Sequence, residues 1–383
     1  MDQSSALVLA GESIMAVTVC KILMEHVQDT ASIQAAMEKE KFGADDIIAI
    51  VAKTEGNGGV NDFGRILVDR MLRDFLVAKG KRGREGAMSV PIALSGGCPG
   101  IIAPHLNIFA NVEDPDPDPE AERLAVGIAM SEPMAPEDIG RPSGVEKVAA
   151  GTKLAMVDAG IDNPADIHYV QSKSPLLTTE SIYDAKSRGF SVCTEETIES
   201  MSFANATAAL GIGVALGEIA MPREDQVGRD LDVYSSVASC SSGNEQNEAQ
   251  IVVVGNKMGA GGRFRIGHSV MKDAIDTDGI YEAIRNAGLP LSDRPHPSDL
   301  GDAVVNCFVK CETDPSGLLR GHRLVSLNDT DVHHTHQTKA AVGGVAAAAI
   351  GDPAVFVSVA ALQQGPAGGG MVAAIVDMDK VSI

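Results

Sequence analysis

The sequence predicts an α/β protein made of three similar units arranged around a pseudo-threefold axis. In each unit, a run of β-branched and apolar residues ends in a lysine, a helical stretch follows, and a second apolar run ends in serine beside small residues. The unit is too long to be a solenoid repeat, so we interpret it as a domain that occurs three times. The lysines are Lys53, Lys173 and Lys310, and the serine runs are 91–97, 237–243 and 354–360.

The composition bounds both the cores and the partners of this fold. Of 383 residues, 44% are hydrophobic but only 3% are aromatic, so the cores must consist mainly of closely packed Ala, Val, Ile and Leu. The net charge of −21 argues against a nucleic-acid or anionic-membrane partner, and an anionic substrate would need a local cationic pocket. Six cysteines without a CxxC pair or a secretory signal indicate reduced, buried thiols in a cytoplasmic protein.

The first unit, residues 1–117, alternates strand and helix patterns. Gly43 closes a helix that begins at Ala31, and Asn61 and Asp62 provide a cap for a helix that begins at Phe63. We predict that the second helix packs through one face, formed by Ile66, Leu67, Met71, Phe75 and Leu76. The predicted elements are a strand at 16–20, a helix at 31–40, a strand at 48–53, a helix at 63–78, a basic connection at 79–86 and a strand at 91–97.

The second and third units repeat this order. Alternating Asp and Pro at 114–119 keep the chain extended and mark the first boundary, and glycines at 259–262 mark the second. In the second unit, 120–260, we predict strands at 123–130, 167–173, 237–243 and 251–255 and helices at 143–159, 178–187 and 205–218. In the third, 263–383, we predict a strand from 263, helices at 277–287 and 338–350, and strands at 304–310, 354–360 and 373–377.

The lysines and serines predict the chemistry. A single lysine at a strand end is usually explained by an amine that reaches solvent, but three in register with three serines favour a shared site. If the lysines converge, desolvation and mutual repulsion lower their pKa values, and a neutral amine can take the proton of a serine hydroxyl. Serine–lysine pairs usually catalyse acyl transfer, and the glycine-flanked serine turns offer N–H groups to an oxyanion.

Two further features extend this site. Arg65 lies near the start of a helix, where a guanidinium could hold a planar oxo-anion, although a surface arginine explains it equally well. The Gly-rich loop at 363–370 can direct carbonyl oxygens inward, as hard cations require, and Glu312 could supply a charged ligand.

Five motifs together resemble the ring-opening amidohydrolases, the family that contains cyanuric acid hydrolase and barbiturase. The resemblance runs from about Asp46 to the C-terminus and is carried by 53–58, 95–97, 173–178, 239–243 and 364–370. It implies a prism of three units with one central active site, with Lys173 as the base and Ser241 as the nucleophile. It also implies substrate contacts from Lys53, Arg65, Ser95, Gly96, Asn205, Ser242, Lys310, Lys339, Ser358 and Val359.

The resemblance further implies a structural divalent cation, Mg²⁺ in preference to zinc because the ligands are oxygens. The ligands it assigns are Glu312, Ala361, Gln364, Gly365, Pro366 and Gly369. His333, His334 and His336 are an alternative zinc site, but neighbouring histidines on one helical turn do not face a single point, so we interpret them as a loop or helix start.

One departure concerns the substrate. Cyanuric acid hydrolases resemble one another in having an arginine in each unit, whereas this chain has Arg65, Asn205 and Lys339. Three different side chains at these positions suit barbiturate, a less symmetric ring in which a CH₂ group replaces one ring N–H. The stretches 234–243 and 266–274 are also more similar to barbiturase. We therefore expect hydrolysis of barbiturate to ureidomalonate, with the s-triazine ring of cyanurate as the alternative.

Other classes of protein fit less well. A non-catalytic binding scaffold would be expected to lack the lysine or serine of the second unit, and a metal-dependent barrel hydrolase would need His and Asp at its strand ends. The glycines at 255–262 do not form a dinucleotide fingerprint. We expect a small anionic heterocyclic substrate, no nucleic-acid or membrane partner, and a homo-oligomer, namely a tetramer.

Overall fold

The computed structural model describes residues 13–59 and 61–381, so the first twelve residues assigned to the first unit lie outside the described part. The first unit has the predicted strand–helix alternation, and the Asp62 carboxylate caps the helix after the loop by accepting the Arg65 N–H at 3.1 Å. Its elements are β1 (Ile14–Leu23), α1 (Ala31–Glu40), β2 (Ile47–Thr54), α2 (Phe63–Lys79), α3 (Gly83–Met88), β3 (Ile92–Gly96) and β4 (His105–Asp114).

The predicted packing face of α2 is wrong in part. Ile66 and Leu67 are exposed, and the face turned to the sheet carries Arg73. That arginine can be buried because its guanidinium donates to the carbonyls of Ala87 and Val90, each at 2.6 Å. A charge satisfied in this way is compatible with a core face that a purely apolar pattern would reject. The other buried residues of α2 are Val68, Leu72, Phe75 and Leu76.

The second unit agrees with the prediction except at one helix start. Helix α6 begins eight residues before the predicted start at Asn205, because the Ser200 hydroxyl accepts the Leu177 N–H at 3.1 Å and ties the additional turns to the end of β6. Gly211 packs against Val148, where an added Cβ would lie 2.6 Å away. The elements are β5 (Glu122–Met130), α4 (Pro142–Ala159), β6 (Ile167–Pro175), α5 (Thr179–Ser187), α6 (Thr197–Leu216), β7 (Ala238–Gly243) and β8 (Gln250–Met258).

The third unit follows the same plan and has a two-stranded ribbon inserted before its last helix. Its elements are β9 (Phe264–Met271), α7 (Thr277–Asn286), α8 (Pro297–Leu300), β10 (Val304–Lys310), β11 (Leu318–Leu319), β12 (His322–Arg323), α9 (His334–Ile350), β13 (Phe356–Ser358) and β14 (Gly370–Asp377). Helix α9 begins four residues before the predicted start at Thr338.

The three main sheets share one strand order, which confirms the threefold plan. The orders are β1-β4-β2-β3, β5-β8-β6-β7 and β9-β14-β10-β13. Taking the four main strands of a unit in chain order, the first and the fourth pair antiparallel, and so do the fourth and the second. The second and the third pair parallel. Strand β4 was not predicted, although it occupies the position that β8 and β14 hold in the other units.

The sheets have helix-covered outer faces, and their inner faces meet in a shared core. The outer cores are mostly aliphatic, as the composition predicts. The shared core draws on all three units and holds Phe109, Tyr169, Phe308 and Phe356, with the rings of Tyr169 and Phe308 centred 4.9 Å apart. The scarce aromatic residues therefore join the units at the centre. Within the described residues, no helix is long and apolar enough to cross a bilayer. All six cysteines are free thiols, and four are buried.

Candidate active site

The site is built from the three parallel strand pairs. In each sheet the lysine-ended strand lies beside the serine-ended strand, and the pairing register sets the lysine directly opposite the serine. The partners are Lys53 with Ser95, Lys173 with Ser241, and Lys310 with Ser358. The repeated sequence pattern thus becomes three pairs in the same register, at the same end of three sheets with the same strand order.

In the first unit the lysine and serine are in contact. The Lys53 amine donates to the Ser95 hydroxyl at 3.1 Å and to the carbonyls of Ser95 and Gly96 at 3.2 and 3.3 Å. Lys53 is completely buried. Burial, followed by the charge of Lys339, holds the pKa of Lys53 well below its ordinary value.

The third unit connects the other two. The Lys310 amine donates to the Ser358 hydroxyl and the Val359 carbonyl, each at 3.2 Å, and also to the Cys240 carbonyl of the second unit. Burial lowers the pKa of Lys310 to about 8. From α9, the buried Lys339 donates to the Gly96 carbonyl of the first unit at 2.9 Å, and burial lowers the pKa of Lys339 too. These contacts bring the three strand ends together.

The second unit differs from the other two. Lys173 lies in register with Ser241, but among the described residues its amine forms no hydrogen bond with the Ser241 hydroxyl. The amine is instead paired with the carboxylate of Glu245, in the loop after β7. The Lys173 side chain is 6% exposed and that of Glu245 is 51% exposed. We expected only cations around Lys173, so this carboxylate is a neighbour that the sequence analysis did not predict.

The three side chains predicted to contact the substrate edges, Arg65, Asn205 and Lys339, have different surroundings. The Arg65 guanidinium donates to the Gly59 carbonyl of its own loop. Asn205 is buried, and its Nδ2 donates to the Ala360 carbonyl of the third unit at 3.1 Å, while its Oδ1 is buried without a hydrogen-bond partner. Together with Lys339, these side chains provide three different functional groups, namely a guanidinium, an unpartnered amide oxygen and an amine.

The serine turn of the second unit is held from the third. The Gln364 side chain accepts the Cys240 N–H at 2.6 Å and donates to the Ala360 carbonyl at 3.1 Å. Next to the turn, the Ser242 hydroxyl is buried without a partner. Sequence reasoning assigned Gln364 only as a metal ligand and missed this bridge, because a glutamine in a loop carries no signal of the strand it reaches.

The Gly-rich loop folds around Glu312. The Glu312 carboxylate accepts the N–H groups of Thr313 and Ala361 at 2.9 and 3.1 Å, and burial raises the pKa of Glu312. Backbone N–H groups donate to the carbonyls of Ala361, Gln364, Pro366 and Gly369, and each of these oxygens keeps a second lone pair. Four of the six predicted ligands, Glu312, Ala361, Gly365 and Pro366, line one small cavity, and Gln364 and Gly369 are outside its lining.

The histidines begin a helix, as we interpreted them. His333 caps α9, with its ring nitrogen 3.4 Å from the Thr335 N–H, and the His334 ring contacts the Thr313 hydroxyl at 2.9 Å. Over residues 13–59 and 61–381, no group of three or more His, Cys, Asp or Glu side chains is arranged to hold a metal ion.

Sequence reasoning also missed two carboxyl groups beside Lys173. One is Glu245, and the other is Asp69 of α2, whose carboxyl lies near enough for the charges of Lys173 and Glu245 to act on it. Glu245 follows Ser241 by four residues, where the first and third units have Pro99 and Leu362. Comparing the three repeats at this position would have identified it.

Comparisons with known proteins agree on one family. A sequence model described as amidohydrolase ring-opening protein matches residues 18–377. Barbiturase 2 and barbiturase 1 of Nocardioides sp. (strain ATCC BAA-499 / JS614) are 55% and 56% identical to this chain over 368 residues, which cover 95% of the chain and 99% of each relative. A cyclic amide hydrolase of Azorhizobium caulinodans is 40% identical over 94% of the chain and 100% of that protein.

The solved structures give the same result. A cyanuric acid hydrolase superposes with a TM-score of 0.88 at 35% identity, and the match covers 95% of this chain and 99% of the other. A cyanuric acid hydrolase from A. caulinodans gives a TM-score of 0.86 with the same identity and coverage.

Proposed function

The chain belongs to the ring-opening amidohydrolase family, and from that premise we propose that it hydrolyses barbiturate to ureidomalonate. At the coarser level it is a hydrolase that acts on the C–N bonds of cyclic amides. The observation that carries the choice of substrate is that the three units have different residues, Arg65, Asn205 and Lys339, at corresponding positions. Cyanurate presents the same edge three times, whereas barbiturate has two N–H groups and one CH₂ group between its carbonyls.

The buried cations support an anionic substrate. Barbiturate is an acidic ring and is anionic at neutral pH, and the net charge of −21 would repel it from most of the surface. In this proposal Lys53, Lys310, Lys339 and Arg65 supply hydrogen-bond donors in the central region, and the amine of Lys310, with a pKa of about 8, attracts the anion at neutral pH. In this proposal Ser95 and Gly96 of the first unit and Ser358 and Val359 of the third hold two edges of the ring. Asn205 offers its unpartnered Oδ1 to a ring N–H.

The proposed reaction uses the second pair. The Ser241 hydroxyl oxygen attacks a ring carbonyl carbon, and its proton passes to Lys173. The tetrahedral intermediate collapses, the ring C–N bond breaks, and Lys173 returns the proton to the departing nitrogen. Water then cleaves the acyl–Ser241 ester and releases ureidomalonate. The Ser242 backbone N–H is a candidate donor to the oxyanion, because the turn that carries it is fixed by the Gln364 contact with Cys240.

We also propose that a divalent metal ion occupies the Glu312 loop. The fit is supported by a buried carboxylate that accepts only N–H groups and has no lysine or arginine partner among the described residues. Oxygen donors and a small cavity favour Mg²⁺ over zinc. When bound, the ion would supply the positive charge that Glu312 lacks. Glu312, Ala361, Gly365 and Pro366 would hold it, with Gln364 and Gly369 joining after a local adjustment of the loop.

A homo-oligomer, expected to be a tetramer, remains a proposal. Apolar side chains on outer helices support it, since Phe63 is 76% exposed and Val157 is 78% exposed. Light scattering of the purified protein measures the mass directly, and a 39.8 kDa species would contradict the proposal.

The test of function is a paired assay. Purified protein is incubated with barbiturate and, separately, with cyanurate, and loss of each ring is followed by absorbance, with Ser241→Ala as the matched control. Turnover of barbiturate with a kcat/KM at least tenfold above that for cyanurate supports the proposal. The reverse preference would overturn the assignment of barbiturate as the substrate, but the assignment as a cyclic amide hydrolase would stand.

A further inference from the structure

Gly243 allows a carboxylate to reach the second lysine. An added Cβ at Gly243 would lie 2.3 Å from one carboxylate oxygen of Glu245 and 2.4 Å from the other. A side chain at position 243 would therefore displace the Glu245 carboxylate from its place over the end of β7, where it is paired with Lys173. Gly243 leaves that place open.

The acid occurs in only one of the three repeats. Counting four residues past each serine gives Pro99, Glu245 and Leu362, and the side chains of proline and leucine cannot accept a hydrogen bond from a lysine amine. In the first and third units the lysine amine donates only to hydroxyl and carbonyl oxygens within the described residues. This difference singles out the second pair independently of any resemblance.

The charged groups that face Glu245 come from two elements, Lys173 on β6 and Arg65 on α2, with Asp69 on α2 close by. Although burial raises the pKa of Glu245, the charge of Lys173 and a smaller effect of Arg65 hold it below its ordinary value. Burial raises the pKa of Asp69 despite the charges of Arg73 and Lys173. Of the two carboxyl groups near Lys173, Glu245 is the one whose carboxylate is paired with its amine, whereas Asp69 is paired with Arg73.

We propose that Glu245 is a positioning residue that completes a Ser241–Lys173–Glu245 triad. Its carboxylate orients the Lys173 amine and stabilises the ammonium ion that forms when Lys173 takes the Ser241 proton. The assignment deepens the proposed function, because it rests on Ser241 as nucleophile and Lys173 as base. The logic is that of a nucleophile, a base and a third group that orients the base.

The proton balance is simple. Ser241 loses one proton as its oxygen bonds to the ring carbonyl carbon, and Lys173 gains that proton while paired with the Glu245 carboxylate. The same proton passes to the ring nitrogen as the C–N bond breaks. Glu245 stays ionised throughout and does not bond to the substrate.

The test uses two variants and one matched control. Glu245→Gln keeps the size and removes the charge, and Glu245→Asp keeps the charge and shortens the reach. Glu248→Gln is the control, since Glu248 lies in the same loop and its carboxylate has no ion-pair partner within residues 13–59 and 61–381. For each protein, kcat/KM for barbiturate is measured against pH. The rate at which phenylmethylsulfonyl fluoride labels Ser241, located by mass mapping, is measured over the same pH range. Thermal unfolding checks that each variant folds.

The expected results separate charge from position. Removing the carboxylate takes away the charged partner of the Lys173 amine and the group that orients it. The acidic limb of both profiles should therefore move in Glu245→Gln, and the plateau kcat should fall at least about tenfold. Glu245→Asp should keep the wild-type midpoint and lose kcat, and Glu248→Gln should match the wild type in both.

Failure of this inference and failure of the proposed function give different results. If the wild type opens barbiturate but Glu245→Gln leaves both the midpoint and the plateau unchanged, the triad is overturned and the function stands. If no cyclic amide is consumed but Ser241 labelling still has the Glu245-dependent limb, the substrate is overturned and the triad stands. Labelling of Ser95 or Ser358 in place of Ser241 would also overturn the triad.

Discussion

Replacing Lys310 with methionine is expected to change how the stability of the protein depends on pH. Lys310 is 1% exposed, and methionine has a similar length without the charge. In the folded protein burial lowers the pKa of this amine to about 8, from the ordinary value of 10.5. The folded state therefore holds this proton less tightly than the unfolded chain does.

The sign follows from proton linkage. Between pH 8 and 10.5 the unfolded chain binds more protons at this position than the folded protein does, so raising the pH stabilises the fold. Below pH 8 the full penalty for the buried charge is present, and it is relieved as pH rises through that window. With these two pKa values, the wild type should gain about 3 kcal/mol relative to Lys310→Met between pH 7 and 10.5.

The measurement is urea unfolding of both proteins at several pH values across that window. Losing the hydrogen bonds to Ser358 and Val359 shifts the variant's stability by an amount that does not depend on pH, so only the slope of the difference is interpreted. Lys79→Met, which replaces an exposed lysine, reports the effect of losing a lysine as such. A wild-type minus Lys310→Met difference that is flat, or that falls with pH, would refute the assignment of a desolvated amine.

Three further predictions concern the site. Ser241→Ala should abolish turnover, whereas Ser95→Ala and Ser358→Ala should raise KM or lower kcat by about 10- to 100-fold. Steady-state kinetics, together with mapping of a trapped acyl-enzyme, will check this. An acyl group on Ser95 or Ser358 would contradict the roles assigned to the three serines. Asn205→Arg should raise the ratio of kcat/KM for cyanurate to kcat/KM for barbiturate by at least about tenfold, because it gives the second unit an arginine like that of the first. An unchanged ratio would show that the difference between Arg65, Asn205 and Lys339 does not set the substrate. Glu312→Gln should abolish stoichiometric metal in elemental analysis and lower the thermal midpoint by several degrees, while a wild type that is metal-free and fully active would refute the metal proposal.

Much of the fold could be predicted because the three repeats can be compared with one another. The same order of lysine strand, helix and serine strand occurred three times, so an error in one unit was limited by the other two. Strand β4 was still missed, although its counterparts β8 and β14 were found, because its sequence mixes apolar residues with His105, Asn107 and Asn111. The buried face of α2 was misassigned because the solvation of Arg73 by carbonyls of a later segment is not visible in a local pattern.

The sequence by itself determined the α/β class, the threefold plan and the residue types at the strand ends. Those follow from local periodicity and from repetition, which are properties of the chain alone. Only the tertiary structure decided which groups meet. It joined Lys339 to Gly96, Asn205 to Ala360 and Gln364 to Cys240 across units, and it placed Glu245 rather than Ser241 against the Lys173 amine. The physical reason is that desolvation and charge pairing act between segments far apart in the chain, so the state of each lysine depends on neighbours that folding supplies.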